Sequence, residues 1–377
     1  MNAGPNPIAA TELRLEVRDY LREKRADGTF VPACDNWLSG FCPEFSRNLG
    51  ARGWLGITWP RRYGGRELSP LHRFAVNEEL LAAGAPVAAH WVADRQSGPA
   101  ILEYGTEQQK ARFLPEIAAG RCYFAIGMSE PDSGSDLASV RTAARRTERD
   151  RWVISGRKLW TSHAHQASHM IALCRTGPAG EDRHEGLSQF VIDLRTPGIQ
   201  INPVLLIDGG HHFNEVVLDE VAVAGDALLG AEGGGWHQVT RELVFERGGP
   251  ERYLSTYPLV EAAVARASDG PGNRQALGQM IADLWCLRQL AIQIVTESGT
   301  SRPAPLNAAI TKDIGTRLEQ TLIDGAASLV AAEADPAATS DFERLLAQSV
   351  LHSPGFTLRG GTSEVLRGII AKMAGLA

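Results

Sequence analysis

FAIGMSEPDSGSDLASVRTAARRTERDRWVISGRKLWTS, residues 124–162, is the stretch on which the reading of this chain turns. It opens on the apolar run Phe124-Ala125-Ile126 and breaks into the polar loop Ser129–Asp136. Two short strand-like runs follow, Trp152-Val153-Ile154 and Lys158-Leu159-Trp160, joined by the turn signal Ser155-Gly156. A loop rich in small hydroxyls, glycine and backbone N–H groups can approach a phosphate-bearing ligand closely. An aromatic in strand position, Trp160, can lie flat on a planar ring system. Ser162, two residues on, then falls on the same side of the strand.

Outward from that stretch, the period of the apolar residues changes twice. Leu13, Val17, Tyr20 and Leu21 recur at helical spacing, as do Leu71, Phe74, Leu80 and Leu81, and residues 8–122 read as helical. Thr106, followed by Glu107-Gln108-Gln109, is a capping-box candidate. Residues 123–232 carry short β-rich runs at Met170–Cys174, Ser188–Leu194, Ile199–Leu206 and Glu215–Leu218, separated by Gly- and Pro-bearing turns. From Gly233-Gly234-Gly235 the pattern is helical again, with runs at 236–267, 273–298, 305–332, 341–352 and 362–374. Ile310, Ile314, Leu318, Leu322 and Ile323 form the stripe of a bundle helix, and 332–340 reads as an exposed loop. The expected fold is α+β and multidomain: a helical domain over 1–122, a β-barrel or sandwich over 123–232, and a helical bundle over 233–377.

Composition narrows the class. The chain has 377 residues, 44% hydrophobic and 22% charged, enough for two or three domains with a large core. A net charge of −6 leaves no basic footprint for nucleic acid. No apolar run approaches the roughly 20 residues of a membrane span, and the N-terminus carries no signal-peptide pattern. Five scattered cysteines, at 34, 42, 122, 174 and 286, fit a reducing compartment, so a cytoplasmic protein is expected. His163, His165, His169, His211 and His212 lack the spacing of a metal site, and no metal is expected. His163 and His165 are expected to alternate along a strand edge.

GMSEPDSGSD followed by GRKLWTS resembles the paired flavin-binding signatures of the acyl-CoA dehydrogenase family. The resemblance continues in GWLGITWPRRYGG at 53–65, YGTEQQKARFLPEIAAG at 104–120 and LRGGTSEVLRGIIA at 358–371, covering nearly the whole chain in order. It implies an N-terminal helical domain, a middle β domain and a C-terminal four-helix bundle. It also implies FAD as cofactor and α,β-dehydrogenation of an acyl thioester, with a carboxylate taking the α proton and flavin N5 the β-hydride. Ile126, Met128 and Ser129 match the loop that lines the flavin, Trp160 the aromatic packed on it, and Ser162 the hydroxyl near N5. Ser135 matches a serine touching CoA. Arg274 resembles an arginine reaching a neighbouring subunit's flavin diphosphate, and Thr362 and Glu364 resemble positions near the adenosine diphosphate end.

Two departures matter. Many members carry the catalytic glutamate two residues before the threonine of the Tyr-Glu-Gly-Thr-like motif, and here that residue is Gly360. A minority place the base on a bundle helix immediately before an arginine, which here is Glu246, followed by Arg247 shaping the site. Glu251-Arg252 repeats the dipeptide, but the preceding hydrophobic run matches at Glu246. The second departure is Gly325–Asp335, which has one glycine where the family often has a Gly-rich stretch contacting a neighbour's adenine. The resemblance implies a homotetramer, or a heterotetramer with a related subunit, and an electron-transfer flavoprotein as acceptor. A same-fold flavin oxidase or monooxygenase, and a catalytically silent subunit of a heteromeric enzyme, stay open as alternatives.

Overall fold

The computed structural model describes residues 9–148, 150–178, 180–297 and 305–376, with the backbone alone for 244–246 and 297. Helices come first: α1 (Ala10–Ala26), α2 (Asn36–Ser39), α3 (Pro43–Ala51), α4 (Pro70–Ala82), α5 (Ala88–Val92), α6 (Gly98–Tyr104) and α7 (Glu107–Ala118). Strands follow: β1 (Phe124–Gly127), β2 (Ala143–Thr147), β3 (Arg151–Lys158), β4 (His169–Arg175), β5 (Leu187–Asp193), β6 (Ile199–Val204), β7 (Phe213–Ala224) and β8 (Leu228–Leu229). The chain then returns to helix as α8 (Gly235–Arg247), α9 (Tyr257–Arg266), α10 (Pro271–Glu297), α11 (Pro305–Leu329), α12 (Asp341–Phe356) and α13 (Ser363–Met373). These elements gather into two compact units. One comprises Met1–Gly40, Glu67–Val87 and Val244–Ala377; the other comprises Phe41–Arg66 and Ala88–Leu243.

The sheet-bearing unit is a mixed sheet with strand order β6-β7-β3-β2-β4-β5-β8, and β1 lies parallel to β4. Trp152 of β3 meets Phe190 of β5 edge to face at 5.1 Å, although two strands separate them along the sheet. The sheet therefore curls over itself, and its inner face is a core built mainly of strand residues, Ile154, Met170, Ala172, Ile192 and Val216 among them, with Ala164 and Leu194 from turns. On the other face Phe124, Ile171, Val191 and Leu229 pack against Phe113, Leu114 and Ile117 of α7 and against Trp59. Burial on both sides makes β4 apolar along nearly its whole length. The capping box at α7 forms as expected: Thr106 Oγ1 accepts from the Gln109 N–H at 3.2 Å, and Gln109 Oε1 accepts from the Thr106 N–H at 2.9 Å.

Several local expectations are corrected. Ser155-Gly156 is not a hairpin turn; β3 runs through it as one strand with a bulge, its register against β7 shifting between Ile154 and Gly156. β2 is a strand that AARRT does not announce, because only Ala144 of its five residues is buried. The run 236–267 is two α-helices with a 3₁₀ turn at Pro250–Arg252 between them, since Gly248-Gly249-Pro250 interrupts the helical pattern. Residue 8 and residue 298, at the ends of two expected helical runs, lie outside the described residues.

In the second unit α1 packs on α4, and α11 touches α9, α10, α12 and α13. The stripe expected on α11 is only partly apolar. Leu318, Leu322 and Ile323 are buried, but Ile314 is 43% exposed. The inward face holds Thr311, Lys312, Asp313, Thr316 and Glu319 instead. Glu319 has no exposed surface and one carboxylate oxygen, Oε2, without a hydrogen-bond partner; Oε1 accepts from the Ser255 N–H at 2.7 Å. Burial pushes its carboxyl up to about 7, against the pull of Arg359 and the Ser255 N–H. Such a group favours the fold below the ordinary pKa of 4.5 and loses that contribution as pH rises through about 7. Glu319→Gln is accordingly expected to gain stability over the wild type at pH 8 but not at pH 4.5, read as urea midpoints at the two pH values.

Candidate active site

The loop after β1 is built on a buried ion pair. Lys158, the last residue of β3, has no exposed side-chain surface, and its Nζ lies 2.8 Å from Glu130 Oε1 and 3.2 Å from the Met128 carbonyl. The Glu130 carboxylate also accepts from the N–H groups of Arg141 (2.7 Å) and Thr142 (2.9 Å). Burial opposes its charge, but the Lys158 ammonium and these donors hold it below the usual carboxylate range. Gly127 makes room, since a Cβ there would come within 2.7 Å of Met170 Sδ and 3.2 Å of Lys158 Cγ. The Leu159 N–H donates to the Ser129 carbonyl at 2.9 Å, so the strand end and the loop are zipped together. Ile126, Met128 and Ser129 are half-buried along this seam, and Ser135 is exposed farther round the loop.

Trp160 is not in strand position. It lies two residues beyond β3 with φ +60°, so neither the strand nor its alternation reaches Ser162. The ring is 52% exposed, edge-on to Phe213 at 5.7 Å. Its backbone setting is fixed by the next residue, where Thr161 and Asn214 exchange N–H···O bonds of 3.0 and 3.1 Å. Ser162, half-buried, begins a turn, and His163 has φ +52°, so the expected alternation of His163 and His165 on a strand edge is also absent. His165 and His211 instead stack at 4.0 Å, both hydrogen-bonded to Asn214 Oδ1. Among the described residues no group of three His, Cys, Asp or Glu side chains could hold a metal ion.

The remaining expected site residues lie in the helical unit. Glu246 stands in the last turn of α8, and its side chain lies outside the described residues. Arg247 donates from Nε to the Gly360 carbonyl at 3.2 Å, and Lys312 from Nζ to the Gly361 carbonyl at 2.7 Å. Gly360 and Gly361 have φ +70° and +97°, a turn that L side chains resist. Thr362 is the N-cap of α13, its Oγ1 accepting from the Val365 N–H at 3.3 Å, with Glu364 exposed in the first turn. Arg274, exposed near the start of α10, pairs with Asp269 at 3.1 Å. Glu251 is 1% exposed, its carboxylate enclosed in the core. Gly325–Asp335 covers the end of α11 and an exposed stretch beyond it.

Sequence reasoning passed over Glu130, Lys158, Asp35 and Arg359. Charged residues in a strand or loop ordinarily read as solvated, and only their partners, 28 and 324 positions away along the chain, reveal a buried pair and a part-buried one.

The chain runs as a helical segment, a curled β-sheet and a helical bundle, with a polar loop zipped at Leu159 to the strand end from which Trp160 protrudes. Family models of the acyl-CoA dehydrogenase N-terminal, middle and C-terminal domains match residues 9–121, 125–221 and 259–375. Two relatives from Mycobacterium tuberculosis are each 35% identical. Acyl-CoA dehydrogenase IpdE1 aligns over 377 residues (96% of each chain) and acyl-CoA dehydrogenase FadE29 over 340 residues (86% of each). The solved structure titled Tcur3481-Tcur3483 steroid ACAD superposes with a TM-score of 0.82 at 29% identity, covering 98% of this chain and 97% of that one. The chain belongs to the acyl-CoA dehydrogenase family.

Removing one partner of a buried pair leaves an uncompensated charge, typically costing about 3–5 kcal/mol. Lys158→Met is expected to destabilise by that order in urea unfolding, and Lys158→Met with Glu130→Gln by clearly less. An unchanged midpoint in Lys158→Met would mean the pair does not hold the loop.

Proposed function

We propose that the chain is an FAD-dependent acyl-CoA dehydrogenase that converts a saturated acyl-CoA to the 2-enoyl-CoA, with Glu246 as the base. One contact carries the assignment of the base. Arg247, in the last turn of α8, reaches the Gly360 carbonyl, which sits in the turn where the family motif usually bears its glutamate. That turn offers no carboxylate, and Gly360 in the left-handed region would strain one placed there. The neighbour of Arg247 along the chain is Glu246. Glu251, the rival dipeptide, is enclosed in the core.

The loop's composition supports a flavin: a half-exposed indole on a fixed backbone offers a flat face to a planar ring, and the half-buried Ser129 and Ser162 would supply hydroxyls to it. Ile126 and Met128 line the same seam, Ser135 would touch the CoA portion, and Thr362, Glu364 and Arg274 would meet the diphosphate end, with Arg274 reaching a neighbouring subunit. Bound FAD supplies the acceptor for the β-hydride and its electron pair. The Glu246 carboxylate takes the α proton, leaving the α C–H pair to form the new double bond, and Arg247 holds the end of α8 at the turn. The steroid named for the Tcur3481-Tcur3483 structure makes a bulky side-chain thioester the substrate class to try first. That name joins two components, which favours assembly with a related subunit over a homotetramer. Electrons would pass to an electron-transfer flavoprotein, and three domains divided near residues 122 and 232 would be the family's units along the sequence.

The test is anaerobic titration of the purified protein with straight-chain, 2-methyl-branched and steroid side-chain acyl-CoA thioesters, following the flavin band. The wild type is expected to bleach with one class. Glu246→Gln should keep its flavin and bleach roughly 10²–10⁴-fold more slowly. A Glu246→Gln enzyme that bleaches at the wild-type rate would remove Glu246 as the base. A flavin that no thioester bleaches, alone or with a related subunit, would overturn the dehydrogenase reading.

A further inference from the structure

The Gly360–Gly361 turn is flanked on its N-terminal side by a half-buried arginine that pairs with a buried aspartate. Arg359 donates from Nη1 and Nη2 to the two carboxylate oxygens of Asp35, at 2.6 and 2.7 Å. Asp35 is 3% exposed and stands before α2 in the left-handed region, φ +56°, a conformation that aspartate tolerates better than most residues. The Arg359 guanidinium lies 4.6 Å from the Trp37 ring centroid and 4.8 Å from that of Phe356, so aromatic faces hold its plane. His352 Nδ1 lies 3.4 Å from Asp35 Oδ2. Behind the pair, Ser255 accepts from the Asp35 N–H through its carbonyl and donates its own N–H to Glu319, each at 2.7 Å. Arg359 is thus held directly by Asp35, Trp37 and Phe356, and Asp35 in turn by His352 and Ser255.

Two consecutive glycines in the left-handed region have no side chains with which to anchor themselves, and glycine has the most conformational freedom to lose. The turn takes its place from what grips it: Arg359 at one end, and the Arg247 and Lys312 side chains on its two carbonyls. A buried ion pair is weak evidence for stability, because an apolar pair of similar volume is often as good. A bidentate fork between aromatic faces does what an apolar pair cannot, which is to set orientation.

We propose that the Asp35–Arg359 pair is a positioning device for the reaction. By fixing the Gly360 carbonyl it fixes Arg247, and with it the last turn of α8 that carries Glu246. Asp35 and Arg359 are positioning residues that act through Arg247, and their role in catalysis rests on Glu246 being the base.

The experiment compares the flavin-loaded wild type with three variants: Asp35→Asn, Arg359→Lys, and Asp35→Asn combined with Arg359→Gln, which exchanges the ion pair for a neutral amide pair. Amide hydrogen exchange is read over 244–248 and 358–363. Turnover and α-proton exchange in D₂O are read with the thioester that bleaches the wild type. Misplacement by about 1 Å can cost roughly 100-fold in rate. A loss of that order in kcat is expected in Asp35→Asn and in the double variant, with KM nearly unchanged and faster amide exchange in both segments. Arg359→Lys keeps the charge without the fork and should fall between. The double variant separates the two roles: a melting temperature near the wild type with kcat still depressed is positioning. Unchanged exchange over 244–248 in the folded variants overturns the proposal without any turnover data, as does kcat per bound flavin within twofold of the wild type. Glu246→Gln distinguishes the two failures. If it keeps α-proton exchange, the base reading falls; if it loses exchange while Asp35→Asn does not, the base stands and the positioning role falls.

Discussion

A lysine ammonium with no exposed surface cannot stay charged without a counter-charge at hydrogen-bond distance, and at the end of β3 that requirement draws in Glu130 from the loop after β1. The path of the loop after β1 depends on this pair. The same carboxylate takes the N–H groups of Arg141 and Thr142, which start the chain toward β2. The Met128 carbonyl joins the same ammonium, and the Leu159 N–H closes on Ser129. One ion pair therefore sets the path of the loop and the point at which β3 ends.

The helical unit solves a similar problem with different parts. A Gly-Gly turn provides the close approach and the left-handed backbone, and two cations, the buried Lys312 and the half-buried Arg247, supply the grip that its missing side chains cannot. The inward face of α11 is accordingly polar where a simple bundle helix would be apolar, with Lys312 reaching the turn and Glu319 reaching Ser255. Buried charge has an energetic cost, and Glu319 shows it directly in a carboxyl pushed up to about 7. Polar groups inside a core, where they do not add stability, can specify orientation instead.

Local chemistry made much of this legible in advance. The capping box at Thr106 and the apolar stripe of α1 are decided by neighbours within a few residues, so they could be read without the fold. The family motifs were legible for the same reason, being short and contiguous. The Trp160 conformation was not, because a tryptophan after Lys158-Leu159 looks like the continuation of a strand until the bulge at Ile154–Gly156 and the Leu159–Ser129 bond are known. The polar face of α11 was misread as an apolar stripe through Ile314 because periodicity counts hydrophobic residues and cannot see a buried lysine that has found a carbonyl.

By itself the sequence determined the order helix, sheet, helix, the family motifs, and the loss of a carboxylate at Gly360, since each of these is written in residues that stand together. Tertiary structure decided which charges are buried and which residue each one meets. Asp35 and Arg359 lie 324 positions apart, and Arg247 and Gly360 lie 113 apart. No local rule carries information across such distances. The desolvation that makes these contacts obligatory arises only once the core has closed around them.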